Sequence, residues 1–168
     1  IALNPAVYTW ARRYATARKL VAPPQASQSV AVDPNKSILV GYGPVGQIVH
    51  RLLVTQKEEV TVIDLNMDTI GSLKQAGYPA LYGDVLRPGT LEEAGVARVG
   101  SLILSANVDD APEIVRYARA LNPDMRVLVR CTHLREVPAL VEAGATSVFS
   151  GEAEVGVAEV GRQQPPPV

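Results

Sequence analysis

The chain has little that would place it outside the ordinary run of folded domains. It holds one cysteine, Cys131, which cannot close an internal disulfide, so nothing points to an oxidising compartment. No run approaches the ~18 consecutive apolar residues of a membrane span, and no secretory-signal pattern is present. A formal net charge of −1 lacks the basic excess that a nucleic-acid partner would draw on. What remains is 168 residues, 47% hydrophobic and 20% charged, enough for one domain with a full core.

The near-neutral average conceals an asymmetry. Residues 1–32 carry Arg12, Arg13, Arg18 and Lys19 and no acid, while the remainder carries 12 basic against 17 acidic residues. Ile1 to Trp10 reads as the end of something apolar, closing on Tyr8 and Trp10 before the positive charges. Membrane helices commonly end this way on the cytoplasmic side. A tag-like or disordered leader is the alternative reading. The expected organisation is therefore 1–20 as the end of a transmembrane region with a basic juxtamembrane segment, and 21–36 as a Pro- and Ser-containing linker. A nucleotide-binding domain would occupy 37–151, and a short helix with a Pro-rich tail 152–168.

The most informative stretch is Ser37 to Gly46, a short apolar strand set against Gly41-Tyr42-Gly43-Pro44-Val45-Gly46. Here Gly-x-Gly-x-x-Gly follows a strand and opens a helix, the context in which the pattern signifies dinucleotide binding. Gly41 serves the tight turn, Gly43 lets a pyrophosphate approach the backbone, and Gly46 lets helix and strand pack closely. Val45, Ile48, Val49, Leu52 and Leu53 then supply an amphipathic stripe. The helix N-terminus offers unpaired N–H groups and a partial positive charge. Pro44 fits the first turn but removes one donor. Asp64 ends the next apolar run 18 residues after Gly46, near the roughly 20-residue spacing at which a carboxylate reaches a ribose hydroxyl. Leu65 follows it. This charge repels a 2′-phosphate and favours NAD or an adenosine nucleotide over NADP.

Strand and helix signals alternate along the rest. Strands are expected at 37–40, 60–64, 80–82, 101–104, 126–129 and 147–149, with helices near 45–56, 67–76, 89–94, 112–121 and 136–143. That alternation predicts a Rossmann-like α/β fold, a doubly wound parallel sheet of six strands in the order 3-2-1-4-5-6. Ligands of such sheets bind at the carboxyl ends of the strands beside the first.

Gly83, Asp84 and Val85 follow the third strand, where an adenine would lie; a turn leading into Arg87-Pro88-Gly89 is the competing reading. After the fourth strand, Asn107 precedes Asp109 and Asp110, which cap the next helix or contribute to a divalent-cation site. Arg130, after the fifth strand, is the candidate side-chain cation for a phosphate, with a surface salt bridge as the alternative. Cys131 and His133 would share a face of an extended segment, yet no third orienting group makes them a nucleophilic pair. His50 reads as a helix-face histidine. No catalytic or metal-binding residue is expected.

Gly41 to Gln47, Val62-Ile63-Asp64, Tyr82-Gly83-Asp84, Leu91-Glu92-Glu93-Ala94-Gly95-Val96 and Val129-Arg130, in that order, resemble the TrkA-N domain. This regulatory nucleotide-binding module is also called RCK, for regulator of potassium conductance. The resemblance spans about Ser37 to Gly161. Ile1 to Pro5 resembles the end of the transmembrane part of Kef-type monovalent cation:proton antiporters. The resemblance implies a module on the cytoplasmic face of the cell membrane that binds NAD(H) or an adenine nucleotide, dimerises, and gates the antiporter part of the same protein. By it, Gly41, Gly43 and Gly46 match the phosphate loop, Asp64 the ribose contact, Gly83 and Asp84 the adenine end, and Arg130 a phosphate contact. Many relatives carry arginine in place of Pro44, which shifts the expectation to NAD(H) or AMP and away from ATP. The family's dimer element matches Glu152 to Arg162, here short and glycine-bearing. A free-standing NAD-dependent oxidoreductase and a dimerisation module with a vestigial nucleotide site are the alternatives.

Overall fold

The computed structural model describes residues 31–151, Asp109 excepted; the expected membrane-proximal segment and C-terminal helix lie outside these residues. Six parallel strands form one sheet: β1 (Asp33–Val40), β2 (Glu59–Asp64), β3 (Ala80–Tyr82), β4 (Val99–Leu104), β5 (Arg126–Cys131) and β6 (Ser147–Ser150). Their spatial order is β3-β2-β1-β4-β5-β6, as alternation and right-handed crossovers require. Helices α1 (Pro44–Thr55), α2 (Met67–Gln75), α3 (Thr90–Glu93), α4 (Ala111–Leu121) and α5 (Val137–Glu142) connect them, with single 3₁₀ turns at Val96–Arg98 and Leu134–Glu136.

Each central strand splits its residues between two cores. On one face Leu39, Val62, Ile103 and Leu128 pack with Val49 and Leu53 of α1 and Leu73 of α2. On the other, Ile38, Val40, Leu102, Leu104, Val127 and Val129 pack with Leu91 of α3, Ile114 and Val115 of α4 and Leu140 of α5. Burial on both faces explains why these strands read as continuous apolar runs; all six residues of β4 are buried.

β1 begins at Asp33, four residues before the expected start, so part of the expected linker is strand. Asp33 pairs with Val99, and the register shifts before Ser37 meets Ser101. Asp33-Pro34-Asn35 carries turn chemistry, and an Asx bond from the Asn35 N–H to Asp33 Oδ1 (2.9 Å) forms. The irregularity lets that turn-like sequence join the sheet edge to edge. Lys36 then pairs with Glu59, their side chains forming a 3.0 Å ion pair.

Candidate nucleotide-binding site

The turn after β1 is built as its glycines require. Gly41 has φ +89°, and a Cβ there would lie 2.5 Å from the Ala106 Cβ. At Gly46 a Cβ would collide with the Gly41 carbonyl oxygen, so α1 and the loop touch backbone to backbone. Gly43 differs: its φ of −66° is open to any residue, and a Cβ would meet nothing within 4 Å. The space a side chain would fill is left in front of the helix N-terminus. An anion could approach the backbone there. Pro44 stands at the start of α1 and brings no N–H, leaving those of Val45 and Gly46 in the first turn.

Asp64, the last residue of β2, is locked to this loop. Its Oδ2 accepts the Tyr42 N–H (2.6 Å) and its Oδ1 the Asn66 N–H (2.8 Å). Each carboxylate oxygen keeps a further lone pair for a ligand hydroxyl. Asn66 in turn caps α2, its side chain accepting the Thr69 N–H at 3.0 Å.

A cleft of about 370 Å³ opens at the carboxyl ends of β1, β2, β3 and β4. Of the expected residues, Gly41, Asp64, Leu65, Gly83, Asp84 and Val85 line it. Asp84 serves both readings considered for it. It closes a turn, accepting the Leu86 N–H on Oδ1 (2.9 Å), and it also faces the cleft. Asp110 does not cap α4 with its side chain; it lines the cleft. Arg130 stands apart. It lies in β5, paired with Phe149, close to Gly151 and outside the cleft lining.

Ser105 was not apparent from the sequence. Its hydroxyl lies 2.9 Å from the Val40 carbonyl oxygen and 2.8 Å from that of Gly41, and shares its one proton between them. With the Ser105 and Ala106 N–H groups on the Val40 oxygen, β4 clamps the base of the glycine turn. The only sequence signal was a small polar residue ending the strand that neighbours β1.

Cys131 and His133 form no nucleophilic pair: the Cys131 Sγ contacts the His133 carbonyl oxygen at 3.5 Å, and burial pushes its thiol above the ordinary range. Among the described residues no cluster of three or more His, Cys, Asp or Glu could hold a metal ion, and no helix is long and apolar enough to cross a membrane. His50 lies on the helix face as expected, and that face is buried: the residue is 3% exposed.

The family model for the TrkA-N domain matches residues 37–151. The chain belongs to the TrkA-N domain family. Among solved structures it is similar to the TrkA-N domain of the inner membrane protein YbaL from Escherichia coli, at 31% identity and a TM-score of 0.68 over 71% of this chain and 90% of that one. The fold is shared with the GsuK channel bound to NAD (19% identity, TM-score 0.62, 85% of this chain) and with GsuK bound to ADP (24%, 0.60, 68%). This TrkA-N chain covers only 26% and 30% of those two chains.

Proposed function

We propose that this TrkA-N domain is a non-catalytic sensor that binds NAD(H) or AMP and passes its ligand state to a monovalent cation:proton antiporter part of the same protein. One observation carries the reading: the Asp64 carboxylate is fixed to the glycine loop by the Tyr42 N–H, beside the space that Gly43 leaves open. On this reading the ribose and phosphate contacts of a nucleotide would belong to one hydrogen-bonded unit. The GsuK structures with NAD and with ADP support a nucleotide ligand, and YbaL supports a membrane-protein context.

The cleft favours few phosphates. Asp64, Asp84 and Asp110 line it, with no lysine or arginine among the lining residues, so every additional phosphate charge meets repulsion. In the proposed pose the ribose hydroxyls bind Asp64, the pyrophosphate lies over Gly41, Gly43, Pro44, Val45 and Gly46, and the adenine lies by Leu65, Gly83, Asp84 and Val85. Arg130 would reach a phosphate only from outside the cleft lining, where it stands near Gly151. Residues 152–162 are the proposed element for pairing two copies.

Calorimetry on the full chain with NAD+, NADH, AMP and ATP tests this. Binding of NAD(H) or AMP ahead of ATP is expected. Asp64→Ala should weaken that binding by about 10- to 100-fold, the worth of a charge-assisted hydrogen bond. Absence of binding to all four would support a vestigial site, and substrate-dependent NADH turnover would establish an oxidoreductase instead.

A further inference from the structure

A histidine that the proposed site does not use lies directly behind it. His50, on the inner face of α1, sits between two tyrosine rings: the Tyr42 centroid is 5.4 Å from that of His50 and the Tyr78 centroid 4.7 Å, both edge to face. The Tyr42 hydroxyl is 3.5 Å from Nδ1, and Nε2 is buried without a hydrogen-bond partner among the described residues. One ring nitrogen is therefore unsatisfied in either neutral tautomer, an uncommon state for a buried polar atom. Tyr42 is also the residue whose N–H holds Asp64, and its carbonyl oxygen accepts from Gln47 Nε2 at 3.2 Å. The imidazole and the ribose carboxylate thus meet through one residue of the glycine loop.

We propose that His50 is a positioning residue that links protons to the nucleotide site: neutral, it seats Tyr42 and so holds Asp64 in place; protonated, it unseats that loop and nucleotide affinity falls. The proposal rests on the nucleotide-sensor reading above. A proton arriving from solvent makes both ring nitrogens donors. The Tyr42 hydroxyl then loses Nδ1 as an acceptor, and a charge appears on a ring whose Nε2 has no hydrogen-bond partner among the described residues. Around His50 are Tyr42 from the loop, Arg51 next along α1, and Tyr78 from the turn after α2. Asp68 of α2 lines the groove of about 410 Å³ that both tyrosines border, and Asp64 of β2 lies behind the Tyr42 N–H. Arg51 acts on the Tyr42 hydroxyl. Burial holds the His50 pKa below its ordinary value. The cluster relieves a buried charge by letting the imidazole and Tyr42 move toward that groove.

Two readouts on the full chain decide the matter. In the ligand-free protein, the amide resonance of Tyr42 should move with the same pH midpoint as the His50 imidazole, and in His50→Gln it should be flat. NAD+, whose own groups do not titrate in this range, should bind more weakly at about pH 5.5 than at about pH 8, by no more than about tenfold, the ceiling for a histidine of ordinary pKa near 6.5 that must be neutral in the complex. His50→Gln should keep the affinity of the alkaline form at both values, and His50→Phe offers a second untitratable ring. A Tyr42 resonance indifferent to His50 overturns the proposal, as does an unchanged pH dependence in His50→Gln. If NAD+ binds at neither pH, the nucleotide reading falls, and the Tyr42 resonance still decides whether His50 moves the loop.

Discussion

The three glycines of the turn are alike in sequence and unlike in physical role. Gly46→Ala drives a Cβ into the Gly41 carbonyl oxygen, and the overpacking should cost about 1–3 kcal/mol in urea unfolding. Gly43→Ala meets no atom of the protein within 4 Å. It should leave stability nearly unchanged and still weaken nucleotide binding, because its methyl group takes space that the proposed pose gives to a phosphate. Calorimetry and unfolding on the same two variants would separate the roles. Six of the thirteen residues that line the cleft were expected as ligand contacts because they are local: Gly41, Asp64, Leu65, Gly83, Asp84 and Val85 each end or follow a strand, whereas Gly43, Pro44, Val45, Gly46 and Arg130 are not among the lining. Ser105 was not legible, since its purpose depends on β4 lying beside β1 and on carbonyls more than sixty residues earlier in the chain. His50 shares the buried face of α1 with Gly46, Val49 and Leu53, but its contacts with the Tyr42 and Tyr78 rings depend on the fold and could not be read from the helical period.

Alternating apolar runs were enough to fix strand order, yet element ends escaped the pattern where side chains reach across the fold. The junction of α4, β5 and α5 is the clearest case. Arg119 on α4 donates from Nε to the Gly144 carbonyl oxygen (2.8 Å), from Nη1 to those of Pro123 (2.9 Å) and Met125, and from Nη2 to Thr146 Oγ1 (2.8 Å). A planar fork is needed to reach acceptors in those different directions. Arg119→Ala should destabilise by about 1–3 kcal/mol by orphaning carbonyls that the guanidinium serves, and Arg119→Lys should recover only a minority of the loss in denaturant melts. Nothing in the periodicity of α4 marks this residue, because its partners lie in the turns before β5 and β6. The start of β1 was hidden for a related reason: Asp33-Pro34-Asn35 obeys local turn chemistry and joins the sheet only through Val99.

For the molecule as a whole, the buried imidazole sets a pH response of stability independent of any ligand. His50 stays neutral in the native state below the pH at which an unfolded histidine takes up a proton, about 6.5. Between that value and the lowered native one, the unfolded chain binds more protons, so stability falls as pH falls. The urea midpoint of the wild-type chain should therefore drop on acidification below about pH 6.5 more steeply than that of His50→Gln. Carboxylates titrate alike in both proteins, so the difference isolates the histidine.

The position of β1 has a mechanical consequence. Residues 1–32 enter the fold at Asp33, and β1 runs from there through the middle of the sheet, its eight residues spanning roughly 25 Å before the chain turns at Gly41. Tension applied along that leader would load the hydrogen bonds to β2 and β4 in shear, the direction in which they resist together rather than one at a time. The central strand thus joins the point where the chain enters the sheet, Asp33, to the glycine turn that begins at Gly41.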